Sequence, residues 1–353
     1  MRGLSPLRYR WPLSARLFFT FLMIVTLVAP IPYVFFKPGT PDDISGSLIT
    51  IKKAATYPIH GKLLITSILV TNPDAPVFGA ETIFHWAVGP NVVLPRESIY
   101  PSTVNDESES SQSANEMSDS QLSATAAALR YLNIPITDRY VVRDVRTYSK
   151  AYGILEIGDR ILSIDGKEIR DIEEIRSSYA KKKIGDYLTM TIERVDSQGG
   201  KRVFTSRIEL VSNGEAGATP EMKARPAIGI LVGVDAEFPI DVKFNLGNVG
   251  GPSAGLIFAI GIVDKLTSED LIRGRIIAGT GTISPSGKVG EIGGIEEKLI
   301  GASRSGATLF LAPRGNCPDI RHIPKGMRVV PANTLQEAIE ILRAPENSKF
   351  PTC

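Results

Sequence analysis

A run of twenty residues without a charged side chain, Leu17 to Phe36, constrains this chain more than any other feature of its sequence. At a helical rise of ~1.5 Å per residue, such a run crosses the ~30 Å hydrocarbon core of a bilayer. Four arginines and no acid precede it, so the positive-inside rule keeps the amino end in the cytoplasm. It is also longer than the ~7–15 residue core of a cleaved signal peptide. We therefore expect one retained transmembrane helix over 17–36 and an ectodomain after Lys37.

Composition excludes several classes of protein. Of 353 residues, 43% are hydrophobic and 22% are charged, which is ample material for two compact domains after the membrane segment. A net charge of +2 gives no reason to expect nucleic acid as a partner. The three histidines lack metal-ligand spacing, so we expect no metal and no cofactor. The two cysteines, Cys317 and Cys353, either pair in an oxidising space or leave Cys317 free and buried.

A serine stands at the glycine-rich start of a predicted helix. Ser253 lies in the sequence G-G-P-S-A-G, residues 250–255, directly before the apolar run 256–263. Backbone N–H groups at such a helix start point outward with the positive end of the helix dipole, so they can hold an oxyanion. The small neighbours Gly251 and Ala254 let a polypeptide carbonyl approach closely. The segment is therefore suited to a nucleophilic serine.

A lysine with an apolar helical face is the natural partner of that serine. Ile295, Leu299 and Ala302 share the helical stripe beside Lys298, so its side chain is predicted to face inward. Desolvation lowers the pKa of a lysine, and a neutral lysine can take the proton of a serine hydroxyl. A second interpretation stays open, because the serine also satisfies the G-x-S-x-G pattern of α/β hydrolases. That site needs a downstream histidine, for which His322 is available.

Residues 247–313 resemble the proteolytic domain of the Lon family. Its G-P-S-A-G and I-G-G-(L/I)-x-E-K motifs occur at 251–255 and 292–298, and its T-G-x-I-(T/S)-x-x-G-x-V hairpin begins at Thr280. The resemblance implies that Ser253 is the nucleophile, that Lys298 is the general base, and that Thr280 orients the lysine amine. The chain departs from the family at 248–250, where it has Asn-Val-Gly in place of the usual lysine-aspartate pair. No ATPase module accompanies the motifs, so we expect ATP-independent hydrolysis.

Residues 136–212 resemble a PDZ domain. The run G-x-x-x-x-G-D-x-I-x-x-x-D-G-x-x-I at 153–169 matches the signature of the bacterial kind. PDZ domains bind an extended peptide as an added strand, with the terminal carboxylate held by a loop of backbone N–H groups. By position that loop falls near 134–140, and the predicted peptide-binding residues are Ile134, Arg139, Tyr140 and Val141. A module that only packs on the protease and gates it is an equal alternative.

Two earlier segments, a strand over 61–70 and a helix over 117–132, resemble the opening strand and first long helix of a Lon proteolytic domain. We therefore predict an α+β Lon-type fold with the PDZ domain inserted into it; a separate small amino-terminal domain is the alternative. The predicted boundaries are a basic tail 1–16, the membrane helix 17–36, the first part of the Lon-like fold 37–135, the PDZ domain 136–212, a linker 213–225, the Lon-like domain 226–345 and a tail 346–353.

Taken together, the chain resembles membrane-anchored bacterial PDZ-Lon-like serine peptidases. The resemblance implies an endopeptidase that cleaves extracytoplasmic or membrane-protein segments. It also implies a single-pass protein of the bacterial cytoplasmic membrane with the amino end inside. Lon-type domains often form rings, so a homo-oligomer is a further expectation. Two other functions stay open: a catalytically silent PDZ adaptor that binds peptides, and an esterase that uses His322.

Overall fold

The computed structural model describes residues 11–87, 91–100, 106–169, 172–196, 198–214, 219–246, 250–345 and 348–353. They divide into two compact units. Unit 1 consists of Met1–Asn133 and Ile240–Cys353, and unit 2 consists of Ile134–Pro239.

Within the described residues, the first segment of unit 1 contains four helices and six strands. In chain order they are α1 Leu13–Val28, β1 Tyr33–Pro38, β2 Asp42–Asp43, β3 Ile49–Lys52, β4 Lys62–Ile65, β5 Ile68–Val70, α2 Gly79–Ala87, β6 Val92–Pro95, α3 Arg96–Ile99 and α4 Asp106–Tyr131.

The part of unit 2 that the structure describes contains two helices and eight strands. They are β7 Thr137–Val145, β8 Arg160–Ile164, β9 Lys167–Glu168, α5 Ile172–Ala180, β10 Tyr187–Val195, β11 Lys201–Glu209, β12 Val211–Ser212, α6 Pro220–Lys223, β13 Pro226–Ala227 and β14 Ile230–Glu237.

The second segment of unit 1 completes the fold. Its elements are β15 Asp241–Phe244, α7 Gly255–Leu266, β16 Ile276–Gly279, β17 Thr282–Ile283, β18 Val289–Gly290, α8 Ile295–Arg304, β19 Leu309–Pro313, a 3₁₀ turn Arg314–Asp319, β20 Arg328–Ala332 and α9 Leu335–Arg343.

Unit 1 is built on a sheet with the order β2-β4-β16-β19-β20, in which the last four strands are parallel. Side chains alternate across it: Leu63 and Ile65 join the core cluster of α7, whereas Leu64 joins the cluster of α8. Helix α7 is apolar around its whole circumference, and its residues from Gly255 to Asp264 are all buried. The sheet therefore lies between α7 on one face and α8 on the other.

A second, antiparallel sheet has the order β5-β1-β6, so β1 is its central strand and β5 lies at an edge. Near the carboxyl end, Cys317 of the 3₁₀ turn forms a disulfide with Cys353. That pairing resolves the alternative left by the sequence.

The predicted membrane helix differs from the structure. Helix α1 ends at Val28, and Tyr33–Pro38 is a strand. The helix ends there because Pro30 disfavours helical geometry at Ala29, whose φ of −64° and ψ of 133° are extended. Over the described part of the chain, no helix combines the length and apolar character needed to cross a bilayer.

Two further boundaries differ from the expected ones. Helix α4 begins at Asp106 rather than at residue 117, because three acidic side chains in its first turn favour a helix start. Strand β14 pairs with β7 over its whole length, so residues 230–237 belong to unit 2 and not to the predicted 226–345 segment. In unit 2 the main sheet has the order β11-β10-β8-β7-β14, which leaves β14 at an edge.

Candidate active site

The structure brings Ser253 and Lys298 into direct contact. The Lys298 Nζ lies 2.7 Å from the Ser253 Oγ and 3.0 Å from the Thr280 Oγ1. Ser253 immediately precedes the first turn of α7, Thr280 follows β16, and Lys298 is on α8. Three elements that are distant in sequence thus meet at the carboxyl end of β16.

Burial controls the charge of the lysine. Lys298 is 2% exposed, and desolvation lowers its pKa from the ordinary 10.5 to about 7. About half of the molecules therefore hold a neutral amine near neutral pH, with a lone pair that can accept the Ser253 hydroxyl proton. The inward stripe predicted for α8 is the cause, since Ile295, Leu299 and Ala302 are all buried.

Thr280 fixes the direction of the amine. Its side chain is fully buried, and its Oγ1 donates a hydrogen bond of 3.0 Å to the Ser253 carbonyl. That donation leaves the oxygen free to accept an N–H of Lys298. The Gly281 N–H donates to the same carbonyl at 2.8 Å, so the backbone of the serine is held from two sides.

The serine loop has a backbone that only a flexible residue adopts easily. Gly251 has a φ of +82°, in the left-handed region that glycine favours. Helix α4 supports the loop from outside: the Gly251 N–H donates to the Ser113 carbonyl at 3.0 Å, and the Ser120 Oγ donates to the Pro252 carbonyl at 3.0 Å. Sequence reasoning missed both serines, because their partners lie more than a hundred residues away.

A cavity of about 350 Å³ opens beside the Ser253 hydroxyl. One wall is the serine loop with Ala254, and the facing wall is the segment that ends in the edge strand β5. Its lining residues are Ile65, Thr66, Ser67, Ile68, Leu69, Met117, Gly250, Gly251, Ser253, Ala254, Gly293 and Lys298. All three predicted supporting positions thus adjoin the dyad: Thr280 contacts the amine, and Gly251 and Ala254 line the cavity.

Comparison with known proteins agrees with this geometry. A family model for the Lon protease (S16) C-terminal proteolytic domain matches residues 217–343, and a PDZ-domain model matches residues 119–206. The chain contains a Lon-type proteolytic domain and a PDZ domain.

Two of the similar proteins are Lon proteases. Lon protease 1 of Bacillus subtilis (strain 168) is 31% identical over 193 residues, which cover 52% of this chain and 24% of that protein. Lon protease 1 of Myxococcus xanthus is 28% identical over 275 residues, which cover 68% of this chain and 33% of that protein. This chain thus spans between a quarter and a third of the length of these two relatives.

Among solved structures, the PDZ domain of the SdrC-like protein from Listeria monocytogenes is 25% identical, with a TM-score of 0.22. The likeness covers 26% of this chain and 85% of that domain. At that TM-score the likeness supports no further statement about unit 2.

A residue outside the Lon motifs holds the loop before Lys298. The Asn316 side chain is 3% exposed. Its Oδ1 accepts from the Ile292 N–H at 2.9 Å, and its Nδ2 donates to the Ile292 carbonyl at 2.9 Å. Gly294, two residues after Ile292, precedes α8 with a φ of +68°. The two hydrogen bonds from Asn316 to Ile292, which we call the Asn316 clamp, therefore fix the position at which the helix of Lys298 begins. The neighbouring Cys317 disulfide ties the same turn to Cys353.

His322 occupies a different place from the dyad. Its side chain is 91% exposed and faces Glu296 at 3.8 Å. It does not line the cavity beside Ser253. Because the Lys298 amine already adjoins the serine hydroxyl, the geometry favours the dyad over the α/β-hydrolase alternative. Of the departure at 248–250, Asn248 and Val249 lie outside the described residues, and Gly250 lines the cavity.

In the PDZ-containing unit, a groove of about 270 Å³ lies between α5 and the residues that lead into β14. The apolar-Gly-apolar sequence Ile228-Gly229-Ile230 forms one side of it, with a φ of +72° at the glycine. This short pattern, after a proline, is the signal that could have located the groove in the sequence. The other lining residues are Arg146, Tyr148, Ile172, Ile175, Arg176, Tyr179, Asn213, Ala227, Leu231 and Val232.

None of the four predicted peptide-binding residues lines this groove. Arg139, Tyr140 and Val141 lie on β7, and Ile134 precedes that strand. Since β14 pairs with β7 from Thr137 to Val145, the edge strand on this side of the sheet, among the described residues, is β14 and not β7. Tyr140 and Val141 are buried, and Arg139 forms an ion pair with Glu237 of β14.

Proposed function

We propose that the protein is a serine endopeptidase that works without ATP, with Ser253 as nucleophile and Lys298 as general base. The observation that supports this most strongly is the 2.7 Å contact between the Ser253 Oγ and an amine whose pKa is about 7. A weakly basic, desolvated amine is what activation of a serine requires near neutral pH.

The reaction follows from these positions. The Ser253 Oγ attacks the carbonyl carbon of the scissile peptide bond while the Lys298 Nζ takes the hydroxyl proton. Backbone N–H groups at the start of α7 stabilise the oxyanion, aided by the positive end of the helix dipole. The C–N bond then breaks, and the Lys298 ammonium gives its proton to the leaving amine. Water, deprotonated by the neutral lysine, attacks the acyl-enzyme, and the proton returns to the Ser253 Oγ.

We infer that the substrate is an extended polypeptide. The cavity borders β5, whose outer edge has no neighbouring strand among the described residues. An extended chain can hydrogen-bond to such an edge and present its carbonyl to Ser253. Ile68, Leu69 and Met117 favour apolar side chains next to the cleaved bond. The groove of unit 2 supports a second peptide site, again beside an edge strand.

We further propose that α1 attaches the chain to a bacterial cytoplasmic membrane, with the amino end inside and the protease outside. Its 16 residues span about 24 Å, so the proposal requires the bilayer to thin locally around this short helix. None of the residues of α1 is buried by the rest of the chain. Substrates would then be extracytoplasmic or membrane-protein segments.

The test compares variants on an unstructured protein substrate. The full chain in detergent is needed, because truncation at residue 38 removes β1, the central strand of the β5-β1-β6 sheet. We expect Ser253→Ala and Lys298→Ala to lose about three orders of magnitude or more of cleavage, and His322→Ala to keep it. Full activity of Lys298→Ala contradicts the mechanism. A wild type that binds peptide and cleaves none of several unfolded substrates indicates the adaptor.

A further inference from the structure

Helix α2 presents an apolar face to the outside of unit 1. Ala80, Ile83, Phe84 and Ala87 follow the i, i+3, i+4, i+7 spacing that normally marks a buried helix face, yet all four are exposed. Ile83 is 51% exposed, Phe84 is 56% exposed, and the neighbouring Trp86 is 78% exposed. We call these five residues the α2 face. A surface helix in water carries polar side chains at such positions.

The His85 side chain of α2 is turned toward the protein instead. The His85 side chain is 14% exposed, and its ring packs 4.6 Å from the ring of the buried Phe35. The His85 Nδ1 lies 3.0 Å from the Asn91 Nδ2, and its Nε2 lies 3.7 Å from Glu81. The amphipathic pattern is therefore inverted relative to a helix that borders water. An apolar environment outside the α2 face would accommodate this pattern better than water.

The α2 face continues the exposed surface of α1. A Cβ at Gly79 would lie 1.9 Å from the Thr26 carbonyl oxygen, so only glycine permits this close approach of the two helices. The Gly79 N–H donates to the Ala29 carbonyl at 3.2 Å, and the Ile31 N–H donates to the Val77 carbonyl at 2.8 Å. The start of α2 is thus fixed to the carboxyl end of α1, the end away from Arg16.

We propose that α2 inserts its apolar face into the lipid bilayer, at the boundary between headgroups and acyl chains, beside the carboxyl end of α1. The inference rests on the proposed attachment of α1 to the membrane and names a second element that contacts the same bilayer. Continuity with α1 favours lipid over a second copy of the chain as the occupant. Trp86 fits that depth, because an indole places its ring in the apolar region and its N–H near water.

This placement limits which peptide bonds reach Ser253. Strand β1 begins beside the helix pair at Tyr33, and its far end, Pro38, pairs with Ile68 of the cavity wall. Six residues of strand span about 20 Å at ~3.3 Å per residue. The active site therefore lies within about 20 Å of the start of β1, beside the helix pair. It selects polypeptide segments that emerge from the membrane or lie close to it.

Tryptophan fluorescence tests the insertion directly. The chain has two tryptophans, so Trp11→Phe leaves Trp86 as the sole emitter. The full chain is reconstituted into vesicles of phosphatidylcholine and phosphatidylglycerol, with or without brominated acyl chains. We expect emission at shorter wavelength in vesicles than after unfolding in urea, and a loss of emission with brominated lipid. In the same background, Ile83→Ser with Phe84→Ser should abolish the quenching, whereas Ile83→Leu with Phe84→Leu should retain it.

Each alternative gives a different result. If the protein floats with vesicles and Trp86 is not quenched, the inference is overturned while attachment through α1 stands. If the protein does not float with vesicles, the proposed attachment fails, and the inference with it. If Ile83→Cys forms a cross-linked dimer and Trp86 is not quenched, a second copy covers the α2 face. With insertion, the double serine variant should cleave a soluble substrate normally and a vesicle-tethered peptide several-fold more slowly.

Discussion

Replacing Lys298, the proposed general base, should stabilise the fold while it abolishes activity. Lys298 is buried at 2% exposure, in surroundings that disfavour its charge. Methionine has a similar unbranched shape and carries no charge, so Lys298→Met fills the same space. If Lys298 serves the chemistry at the expense of stability, its replacement should raise the free energy of unfolding and lower the rate of cleavage.

The magnitude follows from the pKa of Lys298. The unfolded chain has the ordinary value of 10.5 and the folded site about 7, so the difference, 10.5 minus 7, corresponds to roughly 5 kcal/mol. The unfolded state binds more protons between those two values, so wild-type stability rises with pH across this window. The penalty is full below pH ~7 and absent above pH ~10.5. Lys298→Met also loses the hydrogen bonds to Ser253 and Thr280, and each loss offsets about 1 kcal/mol of the stability gained by removing the charge.

Urea unfolding of the full chain in detergent, followed by circular dichroism, measures the effect. We expect Lys298→Met to gain about 2–3 kcal/mol over wild type at pH 7 and nothing, or a small loss, at pH 10. The matched control is Lys288→Met, at an exposed lysine, where no desolvated charge is removed and no such gain at pH 7 is expected. A Lys298→Met protein less stable than wild type at pH 7, or one with a pH-independent difference, refutes the reasoning.

Three further substitutions test separate contacts. Thr280→Val removes the hydroxyl that accepts a hydrogen bond from the Lys298 Nζ, so we expect kcat to fall about tenfold with KM little changed. An unchanged kcat contradicts a role of Thr280 in orienting the amine. Asn316→Ala removes both hydrogen bonds to Ile292, so kcat should fall and the free energy of unfolding in urea should drop by about 1–3 kcal/mol. A variant that keeps the full kcat shows that Asn316 does not position Lys298. Burial raises the pKa of Asp264 from 3.8 to about 6, so the folded state binds more protons and wild-type stability falls as pH rises through that window. Asp264→Asn should therefore gain up to about 3 kcal/mol at pH 7 relative to pH 4 in urea unfolding, and an equal effect at both pH values argues against a charged, buried carboxylate.

Local sequence predicted the parts of the site that depend on local structure. The glycine-rich segment before α7 and the apolar stripe of α8 each follow from a few neighbouring residues, and the structure places Ser253 and Lys298 together. The predicted presence of a Lon-type proteolytic domain and of a PDZ domain is confirmed by the family matches. The peptide-binding residues on β7 stay a prediction that the groove beside β14 does not favour.

What the sequence could not show depends on contacts between distant segments. The edge position of β14 results from its pairing with β7, roughly ninety residues earlier, and no local pattern encodes a sheet order. Asn316 acts on Ile292 through two side-chain hydrogen bonds, and an asparagine before a proline-containing turn resembles many surface loops. The apolar run at 17–36 suggested one long helix, because hydropathy alone does not register that Tyr33–Pro38 pairs with two other strands.

The pH dependence of kcat/KM tests the central claim, a neutral lysine as the base for Ser253, most directly. Cleavage of an unstructured protein by the full chain is measured between about pH 5 and pH 9. With the pKa of Lys298 lowered to about 7, kcat/KM should rise about tenfold per pH unit at low pH and level off above pH ~7. His322→Ala should leave this profile unchanged. A profile that is flat, that falls as Lys298 loses its proton, or that disappears with His322→Ala contradicts the claim.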